Sequence, residues 1–421
     1  MNVLLVTDSF PPVCGGSGWS TYELAAGLRR RGHAVVVVKV TAGSTGHDRK
    51  TEYDGLPVIE RHFYAPSVPG IRNYFKNERL YARLTPRLEQ LIAEHRIDLV
   101  HGQHVLSTPP SIAAARRAGI PSVATIRDYW PVCYRSDLIH TRQTLALCPG
   151  CAQAAAVQHV RPNLGAFGLA TQLVRKYLRA NLRRKQEALV SADAVIAVSS
   201  RISADLQSRI PDLSRSRLHL IPNPVDTDAV RRRASTERPL ASPYAVYAGK
   251  LAPNKGTSYL PEVVNRAQLD WQLVIVGDGP DRKSLERTAA ASRREIRFTG
   301  WQDPSQTATW MAHAAMLIFP SQGPESLSRV LIEASALGIP IAAMNTGGTA
   351  DIITDEVSGL LSNTADELAA DVKRLRTDAE LRRRLGQAAA AHARATFDAA
   401  SVVEKVETLY RTLVAAAKGT R

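Results

Sequence analysis

Short apolar runs of strand length alternate with helix-length segments along almost the whole chain, and the alternation starts over once, at Tyr244. In the first half, strands are predicted over Asn2–Thr7, 34–40, 98–101, 121–126 and 194–199. Helices are predicted between them over 21–31, 86–95 and 111–118. The second half repeats the scheme, with strands over Tyr244–Ala248, Gln272–Val276, 296–299, Met316–Phe319 and Ile341–Met344. Helices are predicted there over 256–266, 281–291, Pro304–Ala312 and 325–337. Such alternation implies right-handed βαβ units and a parallel sheet covered on both faces. A chain of 421 residues is long enough for two such domains of about 150–200 residues each. The fold class expected is therefore α/β, with two Rossmann-like, doubly wound domains facing across a cleft. The boundary is set at 222/223, inside Ile221-Pro-Asn-Pro-Val-Asp226, because two prolines interrupt an extended segment. The basic stretch 231–242 shows no periodicity and reads as a loop, and 398–417 reads as a last amphipathic helix.

Hydrophobic content of 44% and charged content of 22% are ordinary for a globular protein. No apolar run approaches the roughly 18 residues of a membrane span. Asp8 breaks the first apolar run early and no basic segment precedes it, so the start reads as a strand rather than a leader, and the expected location is the cytoplasm. The net charge of +15 implies acidic partners such as nucleotide phosphates, anionic lipid or nucleic acid. Residues 173–185 carry six basic side chains and no acidic one, with Val174, Leu178 and Leu182 in an apolar row; 61–87 mixes Arg and Lys with Phe and Tyr. Such faces suit an anionic membrane surface, or a solvated helix packed on its own core. Cys148-Pro-Gly-Cys151 has zinc-knuckle spacing, with Cys133, His140 and His159 close in sequence, but a single pair is a weak signal and the thiols are expected reduced and metal-free.

Three loops carry the chemistry. Pro11-Pro-Val-Cys-Gly15-Gly16-Ser-Gly18 lies between the first strand and first helix, where Gly15 and Gly16 let backbone amides approach phosphate oxygens. A tight turn explains the same glycines equally well. In Gly249-Lys250-Leu-Ala-Pro-Asn-Lys255-Gly256, two lysines five residues apart can converge on one diphosphate and neutralise charge on a leaving nucleotide. Gly323-Pro-Glu325-Ser326-Leu327-Ser-Arg-Val-Leu-Ile-Glu333 follows the strand Met316–Phe319. Here Glu325 is placed at a strand-to-helix junction and Glu333 about two turns down the helix. Helix N-termini attract anions, and two carboxylates beside one can read the hydroxyls of a sugar nucleotide. Val274-Ile-Val-Gly277-Asp278-Gly279 is a strand ending in a glycine turn, with Asp278 read as structural.

The block 321–348 resembles the E-x7-E block of family 4 glycosyltransferases, retaining enzymes of the GT-B fold. It departs at Ser326-Leu327-Ser328, where that family often has Gly-Phe-Gly. The likeness implies that Glu325 and the backbone of Ser326 and Leu327 hold the donor sugar and that Glu333 holds the ribose. It also implies that Lys250, Lys255 and the Gly16 amide stabilise the diphosphate, and that Gly277 lies in a backbone wall near the nucleotide. The base is expected near 297–301. A histidine facing the sugar is assigned to His104 in His101-Gly-Gln-His104, where Gln103 is the other candidate. Arg127 stands where the family usually has histidine, and would reshape the acceptor pocket or bring a positive charge to it. The helix 398–417 is expected to pack back on the first domain. The implied reaction is retaining, front-face transfer from a nucleotide-diphosphate sugar to a hydroxyl of a glycan, lipid-linked or small-molecule acceptor, in polysaccharide or glycoconjugate biosynthesis. It is expected to need no metal and no cofactor beyond the donor. The rival readings are another GT-B enzyme, such as an epimerase or phosphorylase, and a basic protein that binds nucleic acid or lipid. No nucleic-acid-binding module is present, so nucleic acid is not an expected partner.

Overall fold

The computed structural model describes residues 1–43, 47–67, 69–139, 148, 168–292 and 294–419. Two compact units divide at Pro224/Val225, two residues beyond the boundary expected, and Val402 onward belongs to the first. The first contains an eight-stranded sheet in the order β3-β4-β2-β1-β5-β6-β7-β8. Its strands are β1 (Asn2–Thr7), β2 (Ala34–Gly43), β3 (Asp48–Tyr53), β4 (Leu56–Tyr64), β5 (Leu99–Gly102), β6 (Ser122–Ile126), β7 (Ala194–Ala197) and β8 (Leu218–Leu220). All neighbours are parallel except β3 and β4.

Alternation along β1 and β2 divides the core of this unit, because successive side chains point to opposite faces. Val3, Leu5, Val35 and Val37 pack with Leu24 and Leu28 of helix Gly16–Arg30 and with Val402, Val403, Val406 and Tyr410 of helix Ala399–Gly419. Leu4, Val6, Val36 and Val38 pack with Leu80, Leu84, Leu88 and Leu91 of helix Leu80–Glu94. Each of these buried side chains contributes about 2 kcal/mol relative to exposure. The last helix is fixed further by Glu407, which accepts from Arg31, from His33 Nε2 at 2.9 Å and from Arg411 Nη2 at 2.6 Å.

The second unit contains a six-stranded parallel sheet in the order β11-β10-β9-β12-β13-β14. These strands are β9 (Tyr244–Ala248), β10 (Gln272–Val276), β11 (Ile296–Gly300), β12 (Met316–Phe319), β13 (Ile341–Met344) and β14 (Leu360–Ser362). Both sheets reverse their winding direction once, between β1 and β5 in the first and between β9 and β12 in the second. Loops beyond the strand ends at such a reversal splay apart and leave a crevice.

Four local expectations are corrected. The β3–β4 hairpin was missed; Asp54-Gly55 closes it, with φ of 50° and 70°, the positive values that a two-residue hairpin turn requires. The stretch 231–242 is not all loop, because helix Thr227–Arg233 runs into it, capped by Asp226 Oδ1 on the Ala229 amide at 2.7 Å. The helix expected over 86–95 runs over Leu80–Glu94 with Pro86 inside it, and it continues directly from the helical turns of Phe75–Arg79. The helix expected over 325–337 covers only Arg329–Ala336, so Glu325 lies in the preceding loop and Glu333 just over one turn in.

Candidate active site

Residues predicted to bind the donor gather at the reversal between β9 and β12. The β9 loop carries Lys250, which is exposed, and Lys255, which is half-buried. The β12 loop carries Ser321 and Glu325, both buried. Lys255 Nζ donates to Glu325 Oε1 at 2.6 Å, and the Ser321 hydroxyl donates to the same oxygen. The loop after β13 braces the backbone of the β12 loop from behind. Gly348 N donates to Glu325 O at 2.8 Å, and Thr346 Oγ1 donates to Ser321 O at 3.1 Å. Gly347 has φ of 58°, and a Cβ there would sit 1.9 Å from Glu325 O, so the approach admits only glycine.

Glu333 is oriented by its neighbour one turn back. Arg329 Nε donates to Glu333 Oε1 at 2.7 Å, and the Arg329 side chain is itself buried. Leu327 is buried and Ser326 half-buried, and among the described residues no hydrogen bond occupies the amides of either. Gly277 closes the turn after β10. Its amide is already donated to Gly300 O at 2.8 Å, and its φ of 141° lets the backbone pass Gly249 O where a Cβ would be 1.9 Å away. It joins the ends of β9, β10 and β11. Asp278 closes a turn, accepting from the Gly279 amide at 2.7 Å and from Arg282 Nη1 at 2.9 Å. Near the expected base position, the Arg297 guanidinium lies 5.4 Å from the Trp310 ring centroid, and Trp301 is exposed.

In the first unit, the reversal between β1 and β5 brings together Asp8, the glycine loop, Gln103 and His104. Gly15 caps helix Gly16–Arg30 in an extended conformation, so the Gly16 amide opens the helix without an intrahelical partner. Gln103 is fully buried and accepts Arg127 Nη1 on its side-chain oxygen. His104 Nδ1 meets Thr7 Oγ1 at 3.0 Å, while its Nε2 is buried without a partner. Burial, with the Arg127 charge added, pushes the His104 pKa down to about 3, so the ring is neutral.

Arg127 is a buried strut rather than a free cation in the acceptor pocket. Besides Gln103, its Nε donates to Asn223 Oδ1 at 2.7 Å, and burial lowers its pKa to about 9. Lys185 also leaves the solvated face expected of it. It is buried, its Nζ lies 5.3 Å from the Tyr134 ring centroid, and burial pushes its pKa down to about 8.

Asp8, Ser321 and Arg329 escaped the sequence reading. The first two follow strands adjacent to a winding reversal, which could have marked them. Arg329 is visible as an i, i+4 partner of Glu333. Of the proposed cysteine cluster, Cys151, His140 and His159 lie outside the described residues. Cys133 and Cys148 are both buried, and burial pushes the Cys133 thiol up. Among the described residues, no group of three or more His, Cys, Asp or Glu is placed to hold a metal. Nor, among them, is any helix long and apolar enough to cross a membrane.

Comparison with known proteins agrees with this arrangement. Residues 14–229 match the family described as Glycosyltransferase Family 4, and residues 230–392 match Glycosyl transferases group 1. The alpha-maltose-1-phosphate synthase of Mycobacterium tuberculosis is 30% identical over 447 aligned positions, covering 99% of this chain and all of that protein. The D-inositol 3-phosphate glycosyltransferase of Xylanimonas cellulosilytica is 27% identical over 382, covering 85% and 82%. Among solved structures, Anabaena HepE in complex with UDP superimposes with a TM-score of 0.68 at 19% identity, over 98% of this chain and 100% of that one. The two doubly wound units are those of the GT-B fold, and the chain belongs to glycosyltransferase family 4.

Proposed function

We propose that this glycosyltransferase retains the anomeric configuration and moves a sugar from a nucleotide-diphosphate donor to an acceptor hydroxyl. The observation that carries the reading is the Lys255–Glu325–Ser321 cluster at the β9/β12 reversal. A buried carboxylate with a lysine on one oxygen leaves its other oxygen to a donor-sugar hydroxyl. In this reading the lysine meets the charge that builds on a departing diphosphate, and Lys250 adds a second cation on the same loop. Glu333, held by Arg329, takes the ribose hydroxyls. The amides of Ser326 and Leu327 serve the sugar. The acceptor hydroxyl attacks from the leaving-group side, and a phosphate oxygen receives its proton. The lysines supply the electrostatic stabilisation that a metal ion would otherwise provide, so chelator should leave turnover unchanged.

The relatives act, by their names, on different acceptors, and the HepE structure holds UDP. Donor base and acceptor are therefore to be read by experiment. Thermal shift with UDP-, GDP- and ADP-sugars, on the wild type and on Lys255→Ala and Glu333→Ala, tests the reading. A stabilised wild type beside unresponsive variants supports it and names the base; no response to any sugar nucleotide overturns it.

A peripheral membrane position is supported by one observation. Tyr64, Ile71 and Tyr74 are exposed, and Tyr64 and Tyr74 both contact the Phe75 ring, with Arg72 between them in sequence. Aromatic and aliphatic side chains beside a cation suit an anionic lipid interface. Salt-sensitive cosedimentation with phosphatidylglycerol vesicles, lost in a Tyr64→Ser/Ile71→Ser/Tyr74→Ser variant, is the expected result. No nucleic-acid partner belongs to this reading.

A further inference from the structure

Two stretches of the first unit, 61–77 and 138–186, carry no acidic residue. The helical turns Pro69–Tyr74 and Phe75–Arg79 lie at the end of the first, and helix Gly168–Val190 at the end of the second. Glu78 joins the two. It accepts from Asn181 Nδ2 at 2.9 Å and from the Arg184 guanidinium. Basic segments about a hundred residues apart in sequence are thereby neighbours on one face of the unit. Each carries a single carboxylate, and arginine takes up both: Arg184 pairs with Glu78, and Arg183 Nε lies 2.8 Å from Glu187 Oε1.

The inner side of helix Gly168–Val190 fixes which side faces out. Asn181, Leu182 and Lys185 are buried, and Gln186 Nε2 donates to Pro131 O at 3.0 Å. At 3.6 residues per turn, this rotation puts Leu173, Lys176, Ala180, Arg183 and Arg184 on the outer side, and all five are exposed. Leu173 is 67% exposed, an apolar side chain among cations that the fold leaves in water. A cationic helix face with an unburied leucine matches the two layers of an anionic bilayer surface, charged headgroups above acyl chains. Arg and Lys stems are long enough to keep their charges at headgroup level while leucine sits deeper.

We infer that helix Gly168–Val190 is the second half of a lipid-binding surface, with Lys176 and Arg183 on anionic headgroups and Leu173 entering the acyl boundary. The inference rests on the peripheral position proposed above, which involves Tyr64, Ile71 and Tyr74, and adds this helix and the lipid class to it. Charge selects the lipid: each cation near an anionic surface strengthens binding about fivefold, and a zwitterionic surface offers no such gain. A nucleic acid would satisfy the cations but leave Leu173 and Ile71 in water, so the exposed apolar side chains favour lipid. Glu78 and the buried side of the helix hold the face already formed, so binding carries no cost of folding it.

The test uses the full chain and cosedimentation with vesicles of phosphatidylglycerol or of phosphatidylcholine at rising salt. The wild type is expected to bind phosphatidylglycerol at low salt, to release it as salt rises, and to leave phosphatidylcholine unbound. Lys176→Glu/Arg183→Glu, with the tyrosines intact, is expected to bind roughly thirtyfold more weakly or worse, about fivefold for each cation lost. Leu173→Ser is expected to bind severalfold more weakly at every salt concentration. Lys176→Arg/Arg183→Lys keeps both charges and is expected to bind as the wild type does. Unchanged thermal unfolding shows that the variants are folded. Undiminished binding by both Lys176→Glu/Arg183→Glu and Leu173→Ser overturns the inference. If Tyr64→Ser/Ile71→Ser/Tyr74→Ser alone then loses binding, the peripheral reading stands without this helix. Failure of the wild type to bind phosphatidylglycerol is a failure of the peripheral reading itself and removes the inference with it. Tighter, salt-sensitive binding of duplex DNA than of vesicles overturns the choice of lipid.

Discussion

Lys255 Nζ lies 2.6 Å from Glu325 Oε1, across the two loops that flank the winding reversal of the second sheet. The pair is 70 residues apart in sequence, and in the function proposed it joins the cation that meets the leaving diphosphate to the carboxylate that meets a sugar hydroxyl. The lysine is partly exposed and the carboxylate is not, with side-chain exposures of 29% and 8%. Ligand can therefore reach the ammonium without displacing the carboxylate from its brace.

Replacing Lys255 by alanine removes a charge aimed at the departing nucleotide and leaves Glu325 with Ser321 as its remaining side-chain donor. Steady-state kinetics should show kcat/KM falling roughly a hundred- to a thousand-fold, the range for losing one preorganised donor. Retention of more than a third of wild-type activity would remove Lys255 from the site.

Glu333→Ala should act mainly on donor affinity. A hydrogen bond to a charged group is worth about 1.5–3 kcal/mol, which is about a ten- to hundred-fold loss. Arg329→Ala, which frees the Glu333 carboxylate without deleting it, should produce a smaller loss in the same direction. Titration calorimetry with the donor distinguishes the two, and equal affinity in all three proteins would contradict the orientation argument.

Gly347→Ala tests the backing of the Glu325 backbone. The substitution forces an L side chain into positive φ and into Glu325 O at once. A stability loss of about 1–3 kcal/mol is expected from the backbone conformation alone. The greater effect should fall on activity, because the loop that must move carries Glu325. A fully active Gly347→Ala enzyme would show that the close approach is not needed.

Glu407 governs acid stability of the first unit. Burial by itself raises its pKa, but hydrogen bonds from Arg31, Arg411 and His33 overcome this and lower it to about 2 from an ordinary 4.5. A depressed carboxylate contributes stability above its unfolded value and loses it as pH falls through the folded one. Thermal stability should therefore drop between about pH 4.5 and 2. In Glu407→Gln that part of the slope should be absent and stability near neutral pH lower.

Much of the fold could be read along the chain because strand burial repeats locally. Runs such as Leu273–Val276 and Met316–Phe319 are apolar on both faces, and a parallel sheet is the arrangement that covers both. The hairpin β3–β4 was legible too, in Asp54-Gly55, but its strands are half polar and were passed over. Helix starts were less legible. Pro324 and the extended Ser328 delay the helix to Arg329, and no periodicity before that point reveals it.

By itself, the sequence determined the strand–helix alternation, the two-unit division and the presence of Lys250, Lys255, Glu325 and Glu333, because hydrophobic period and motif spacing are local properties. Tertiary structure decided which side chains share an atom and which remain unpartnered. In sequence Arg127 looks like an acceptor-pocket cation and Lys185 like part of a basic helix face, but burial turns the first into a strut between Gln103 and Asn223 and sets the second over Tyr134. Asp8 looks like the end of a strand; the chain crossing from β1 to β5 buries it and brings the Leu106 amide to one oxygen while leaving the other open. Strand order, which brings together loops nearly a hundred residues apart, is written in no local pattern, and it is strand order that creates both crevices.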